Sequence, residues 1–119
     1  MTIEETLISW LSEATSNKLW PLVMPEGFEA FPGCTYQRLK DFHPTDGDGP
    51  YGAAGYLIRI VVWGDEFGPV RDMGEAIRVA LNKDRETYLV TVDDSDDGID
   101  PATLMFRFTL DVEIVEFAP

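Results

Sequence analysis

Every even position from 104 to 114 holds a large apolar residue: Leu104, Phe106, Phe108, Leu110, Val112 and Ile114. The odd positions between and after them read Met105, Arg107, Thr109, Asp111, Glu113 and Val115. Successive strand side chains point to opposite faces, so this alternation predicts a strand over 103–117 with its even row in a core and its odd row in water. Residues 56–63, Tyr-Leu-Ile-Arg-Ile-Val-Val-Trp, are β-branched or aromatic at both parities and predict a central strand covered on at least part of both sides. Weaker alternation predicts further strands at 33–42 and 86–93.

Two stretches carry helical spacing instead. Over 2–16, Ile3, Leu7, Trp10, Leu11 and Ala14 form one apolar stripe opposite Glu4, Ser9 and Glu13, and Thr2 with Glu5 makes a capping-box pattern at the start. A second helix runs from Asp65 or Pro69 to Asn82 on a stripe of Val70, Met73, Ile77 and Leu81. Between these elements, Trp20 to Pro32 contains Pro21, Pro25, Gly27 and Pro32 and reads as an extended connector. His43 to Gly55 combines glycine, proline and aspartate and reads as a long, mobile hairpin loop. The expected fold is therefore α+β, in the order α-β-β-α-β-β. It has an antiparallel or mixed four-stranded sheet made of two hairpins, with both helices packed on one face.

The length of 119 residues and a hydrophobic content of 45 % suit one domain spanning 1–119. Charge changes the picture more: 22 Asp and Glu against 9 Lys and Arg leave a net charge of -13. Nucleic-acid backbones are bound by cations that displace counterions, so a surface of this sign disfavours direct DNA or RNA binding. The single cysteine, Cys34, allows no internal disulfide and fits a reducing compartment. Acids at Glu4 and Glu5 stand where a signal peptide needs bases, and no apolar run approaches the roughly 20 residues of a membrane span. These features predict a protein made and used in the cytoplasm without membrane contact.

Candidate chemistry is sparse. His43 is the one histidine, sits beside Pro44 in the predicted loop, and gives neither Cys34 nor a serine a well-held base, so no catalytic residue and no cofactor are expected. Cys34, in a predicted strand, reads as a small core residue. Asp93, Ser95 and Asp97 followed by Gly98 match the opening of a calcium loop, but the twelfth position, where such loops need a bidentate glutamate, is Leu104. An acidic hairpin turn is the expected reading of that segment, with no metal. Trp20, Phe28 and Phe31, aromatic residues in the connector, serve equally as interface anchors or as a lid over the sheet.

Taken in order, the whole chain resembles the phage tail-completion family, also called tail terminators or tail-to-head joining proteins. The resemblance is carried by the opening amphipathic helix, Pro-Gly-Cys-Thr-Tyr-Gln-Arg at 32–38, and Tyr-Leu-Ile-Arg-Ile-Val-Val-Trp at 56–63. It continues through Ala-Ile-Arg-Val-Ala-Leu at 76–81 and the arginine-bearing last strand at 104–112. It implies a virion protein of a long-tailed bacteriophage or prophage, made in the host cytoplasm. Such a subunit joins copies of itself in a ring, usually a hexamer, that caps the tail tube and connects it to the head-completion protein. The positions carried over, Arg59, Trp63 and Arg107, are structural, and the family supplies no catalytic residue. Gly68-Pro69 and the acidic 93–100 segment depart from the family pattern.

An acidic lumen would let DNA pass without specific binding, which nominates Asp46 and Asp48, or Asp93, Asp94, Asp96 and Asp97, as lumen or interface residues. Long-range repulsion between like-charged copies predicts monomers in dilute salt and rings at higher salt or on the tube. Another neck or head-tail connector component, or an acidic DNA mimic that inhibits a nucleic-acid enzyme, is the alternative.

Overall fold

The computed structural model describes residues 2–23, 31–42, 54–83, 85–99, 101 and 104–117, without the side chains at 93 and 94. The elements are α1 (Ile3–Leu11), β1 (Leu19–Pro21), β2 (Gly33–Phe42), β3 (Ala54–Gly64), α2 (Phe67–Leu81), β4 (Tyr88–Ile99) and β5 (Phe106–Glu116). The five strands form one sheet in the order β1-β2-β3-β5-β4, antiparallel throughout except for the parallel pair β1–β2.

The expected four-stranded sheet of two hairpins is thereby corrected. A fifth strand overlaps the start of the segment read as a connector, and the order becomes α-β-β-β-α-β-β. Leu19, Trp20 and Pro21 lie opposite Cys34, Thr35 and Tyr36. The Cys34 N–H donates to the Lys18 carbonyl at 2.9 Å, and the Leu22 N–H to the Tyr36 carbonyl at 2.9 Å. Pro21 lacks an N–H to give to the ladder, which an edge strand tolerates.

The opening helix is shorter than its periodicity suggests. Its capping box is formed, with the Glu5 N–H donating to Thr2 Oγ1 at 3.2 Å and the Thr2 N–H to Glu5 Oε1 at 3.1 Å. After Leu11 the chain turns, and Ser16 and Asn17 adopt φ of 53° and 61°, a left-handed conformation that ends helical repetition. Buried Thr15 donates its hydroxyl to the Leu11 carbonyl at 2.8 Å, which holds the turn against the core.

Strand register decides which faces are wet. Ile58, Ile60 and Val62 on β3 stand opposite Val112, Leu110 and Phe108 on β5, so the two buried rows share one face of the sheet. Cys34 and Tyr36 join from β2, and Val90 and Val92 from β4. Over this face lie Ile3, Leu7 and Leu11 of α1 and Val70, Met73, Ile77 and Leu81 of α2. Gly74 brings α2 down onto β5, because a Cβ there would meet the Phe108 ring at 2.6 Å. Arg38 ties β2 to α1 through Glu4, its Nε donating to Oε2 at 2.9 Å. That hydrogen bond holds the Glu4 carboxyl below its ordinary range, against a smaller opposing effect of burial.

Two further boundaries differ from expectation. Strand β4 runs on through the acidic segment to Ile99 instead of ending at 93, with a register shift between Val92 and Asp94. Leu104, the first member of the alternating row, falls outside β5 with φ of 59° and is 76 % exposed. The predicted loop about 43–55 lies outside the described residues as far as 53, and Ala54 and Gly55 belong to β3.

Candidate functional site: the open sheet face

Both helices sit on one face of the sheet, and the other face carries the odd-numbered residues of β3 and β5. Their register sets Arg59 opposite Asp111, Val61 opposite Thr109 and Trp63 opposite Arg107. Arg59 meets Asp111 in a two-pronged pair, with Nε to Oδ1 at 2.8 Å and Nη2 to Oδ2 at 3.2 Å. The carboxylate raises the Arg59 guanidinium above its ordinary value through this bonding. The Trp63 Nε1–H donates to Thr35 Oγ1 at 3.1 Å, which fixes the indole across β2.

Between these groups lies a shallow trough of about 250 Å³, completed by Asp96 of β4. Arg107 stands in its wall, and its guanidinium makes no ion pair or hydrogen bond among the described residues. In a chain of net charge -13 this patch sets two guanidiniums against two carboxylates, with indole and valine side chains between them. It is suited to contact with another macromolecule: near-neutral, partly apolar, and built on hydrogen-bonded strands.

The acidic candidates divide. Asp96 faces the open side opposite Thr109, whereas Ser95 and Asp97 face the helix side opposite Leu110 and Phe108, beside Arg78. The segment proposed as an acidic turn is therefore hydrogen-bonded strand over Asp93 to Ile99, and alternation separates Asp96 from Asp97. Asp93 and Asp94 belong to that strand, though their side chains are outside the described set. Of the calcium candidates, Ser95 and Asp97 lie on the helix side and the side chain of Asp93 is outside the described set; among the described residues no group of three or more His, Cys, Asp or Glu is placed to hold a metal ion. Asp46, Asp48, Phe28 and His43 lie outside the described residues. Trp20 sits half-buried in β1, and Phe31 is half-buried just before β2.

Cys34 is fully buried, its thiol pushed well above the ordinary range by desolvation. A thiol kept protonated is a poor nucleophile. Folded protein is expected to leave Cys34 unmodified by iodoacetamide at pH 8, with full labelling once urea unfolds it. Rapid labelling of the native form would show the β1–β2 edge to be open.

Sequence reasoning carried Arg59, Trp63 and Arg107 over as structural positions but missed that they share one patch with Val61, Thr109 and Asp111. Row parity was the available signal, since the odd row of β5 was already expected to be wet. What it lacked was the β3–β5 register.

No family model and no curated protein matches the chain. Among solved structures, a crystal structure from Akkermansia muciniphila is similar over 96 % of this chain, at 14 % identity and a TM-score of 0.48. The chain spans 48 % of that protein's length, and a likeness at this level carries no argument about function. No helix among the described residues is long and apolar enough to cross a membrane.

Proposed function

We propose that this chain is a structural virion subunit of a long-tailed bacteriophage or prophage, a tail terminator that joins copies of itself into a ring on the tail tube. The ring would cap the tube, meet the head-completion protein, and let DNA through without holding it. The observation that carries the reading is that, among the described residues, helices cover the sheet on one side only. Its free face is the near-neutral trough around Arg59, Trp63 and Arg107, in a chain otherwise dominated by carboxylates. Copies that repel one another over long distances can meet closely only where charge is balanced and apolar surface is available. The family resemblance along 32–38, 56–63, 76–81 and 104–112 supports the same reading.

Electron microscopy of the protein mixed with purified tail tubes tests it. The expected result is a ring at one end of each tube; tubes that stay uncapped across a wide range of subunit concentration would refute the role.

A specific observation bears on the rival reading, a DNA mimic. Strand β4 gives its carboxylates a persistent scaffold, which a mimic requires and a loose turn would not supply. Yet a mimic also needs paired acidic rows on one surface, and Asp96 and Asp97 point to opposite faces. Competition against a DNA-binding enzyme would separate the two, because the ring subunit should leave that enzyme active.

A further inference from the structure

We infer that the outer edge of β4 receives, as an added strand, an extended segment of another protein that bears lysine or arginine. The inference stands apart from the ring reading, because it uses the backbone edge of β4 and not the trough. Among the described residues β4 pairs with β5 alone, so one side of its ladder has no strand partner along Tyr88–Ile99. A row of unpaired N–H and C=O groups is a template for a further strand. The opposite edge of the sheet is not equivalent. β1 is three residues long, Pro21 has no N–H, and the Pro21 carbonyl already accepts from the Val23 N–H at 2.7 Å.

Exposure shows how far the β4 edge stands clear. Ser95, Asp96 and Asp97 are consecutive and all exposed. Consecutive strand residues point to opposite faces, so neither face of β4 is covered at this point and the helix layer puts no obstacle before an incoming strand. The register shift between Val92 and Asp94 marks where the usable run begins. From Asp94 to Ile99 every residue keeps regular register with β5.

Charge selects the occupant. From Glu86 to Phe106 the chain contains Glu86, Asp93, Asp94, Asp96, Asp97 and Asp100 and not one lysine or arginine. Arg107 beside Asp96 and Arg78 beside Asp97 offset two of these charges, which leaves the run acidic. A second β4 would bring the same carboxylates against it, and like charges directly opposite destabilise a strand pair. A strand bearing lysine or arginine gains on both faces, beside Asp96 on the open side and beside Asp97 on the helix side. Ile99, opposite Phe106 and 53 % exposed, gives one apolar contact at the end of the run. In strand addition the main-chain ladder supplies affinity, and alternate side chains supply the choice of partner.

Titration of the isotope-labelled protein with a short peptide of alternating threonine and lysine tests the edge, read by NMR as hydrogen exchange of each backbone amide. Slowed exchange is expected at alternate amides between Asp94 and Ile99, because only every second N–H of an edge strand points outward. The same peptide methylated on its backbone nitrogens keeps its charge but loses its donors, and is expected to bind at least about tenfold more weakly. A threonine–glutamate peptide should not bind. Asp96→Asn with Asp97→Asn is expected to weaken binding about threefold or more, whereas Glu13→Gln with Asp72→Asn, an equal charge change at exposed positions, should leave it within about twofold. Equal binding of the methylated peptide would mean attraction by charge without strand addition and would overturn the inference. Protection outside β4, equal losses in the two double variants, or no binding at about 1 mM peptide would overturn it as well. Each of these results leaves the ring reading standing, since the tail-tube experiment decides that separately.

Discussion

Leu110→Ala is expected to lower the unfolding free energy by about 2–5 kcal/mol, a large share of the roughly 5–15 kcal/mol that holds a domain of this kind together. Leu110 has no exposed surface, and its strand is hydrogen-bonded on both sides, where it stands opposite Ile60 on β3 and Ser95 on β4. The neighbouring strands fix the backbone at this point, so the structure has little freedom to close the space left by the missing methyl groups. The next residue is the control. Thr109 points to the open face, and Thr109→Ala should cost about 1 kcal/mol or less. Urea denaturation followed by circular dichroism measures both, and an unchanged denaturant slope would show that the unfolded state is not the cause. Equal losses for the two variants would contradict the assignment of even positions to the core.

The contrast between those two residues was legible in the sequence, since alternation along 106–114 is a direct record of one dry and one wet face. β3 is the central strand that its composition predicts, but the helices cover its even row alone, and Val61 and Trp63 line the open face. Other features were hidden for identifiable reasons. β1 is three residues long and ends in Pro21, so neither periodicity nor β-propensity marks it; its partners are set by the packing of Cys34 and Tyr36. β4 persists through Asp93–Asp97 although aspartate is depleted in strands, because β5 pairs with it on both sides of the register shift at Asp93. Helix α1 stops early because left-handed Ser16 and Asn17 turn the chain toward β1, a tertiary demand that the apolar spacing of Trp10 and Ala14 does not reveal. The candidate site was hidden for a related reason. Arg59 and Asp111 lie 52 residues apart, and their pairing follows from a register that crosses an intervening helix and strand.

Close packing between that intervening helix and the sheet leads to the second large effect. Alanine is normally better than glycine inside a helix by about 1 kcal/mol, yet Gly74→Ala is expected to destabilise this protein by about 1–3 kcal/mol. An added Cβ would lie 2.6 Å from Phe108 Cδ1 and 2.8 Å from Cγ, and Cγ is the root of the ring rather than its mobile end. The ring has little room to retreat, being buried on β5 with the Arg78 guanidinium 5.9 Å from its centre. Either α2 lifts from the sheet, loosening Met73 and Ile77 with it, or the aromatic side chain leaves its preferred rotamer. Shortening the obstacle should reverse the sign. In a Phe108→Leu background, itself less stable for lack of ring burial, the alanine at 74 meets less resistance and its helical preference should emerge as a neutral or favourable change. A double-mutant cycle on denaturation free energies reads the coupling between the two positions, expected at about 1 kcal/mol or more. Additive losses would mean that the glycine is not required by the approach of α2 to β5, and that the helix rides higher over the sheet than the Phe108 contact implies.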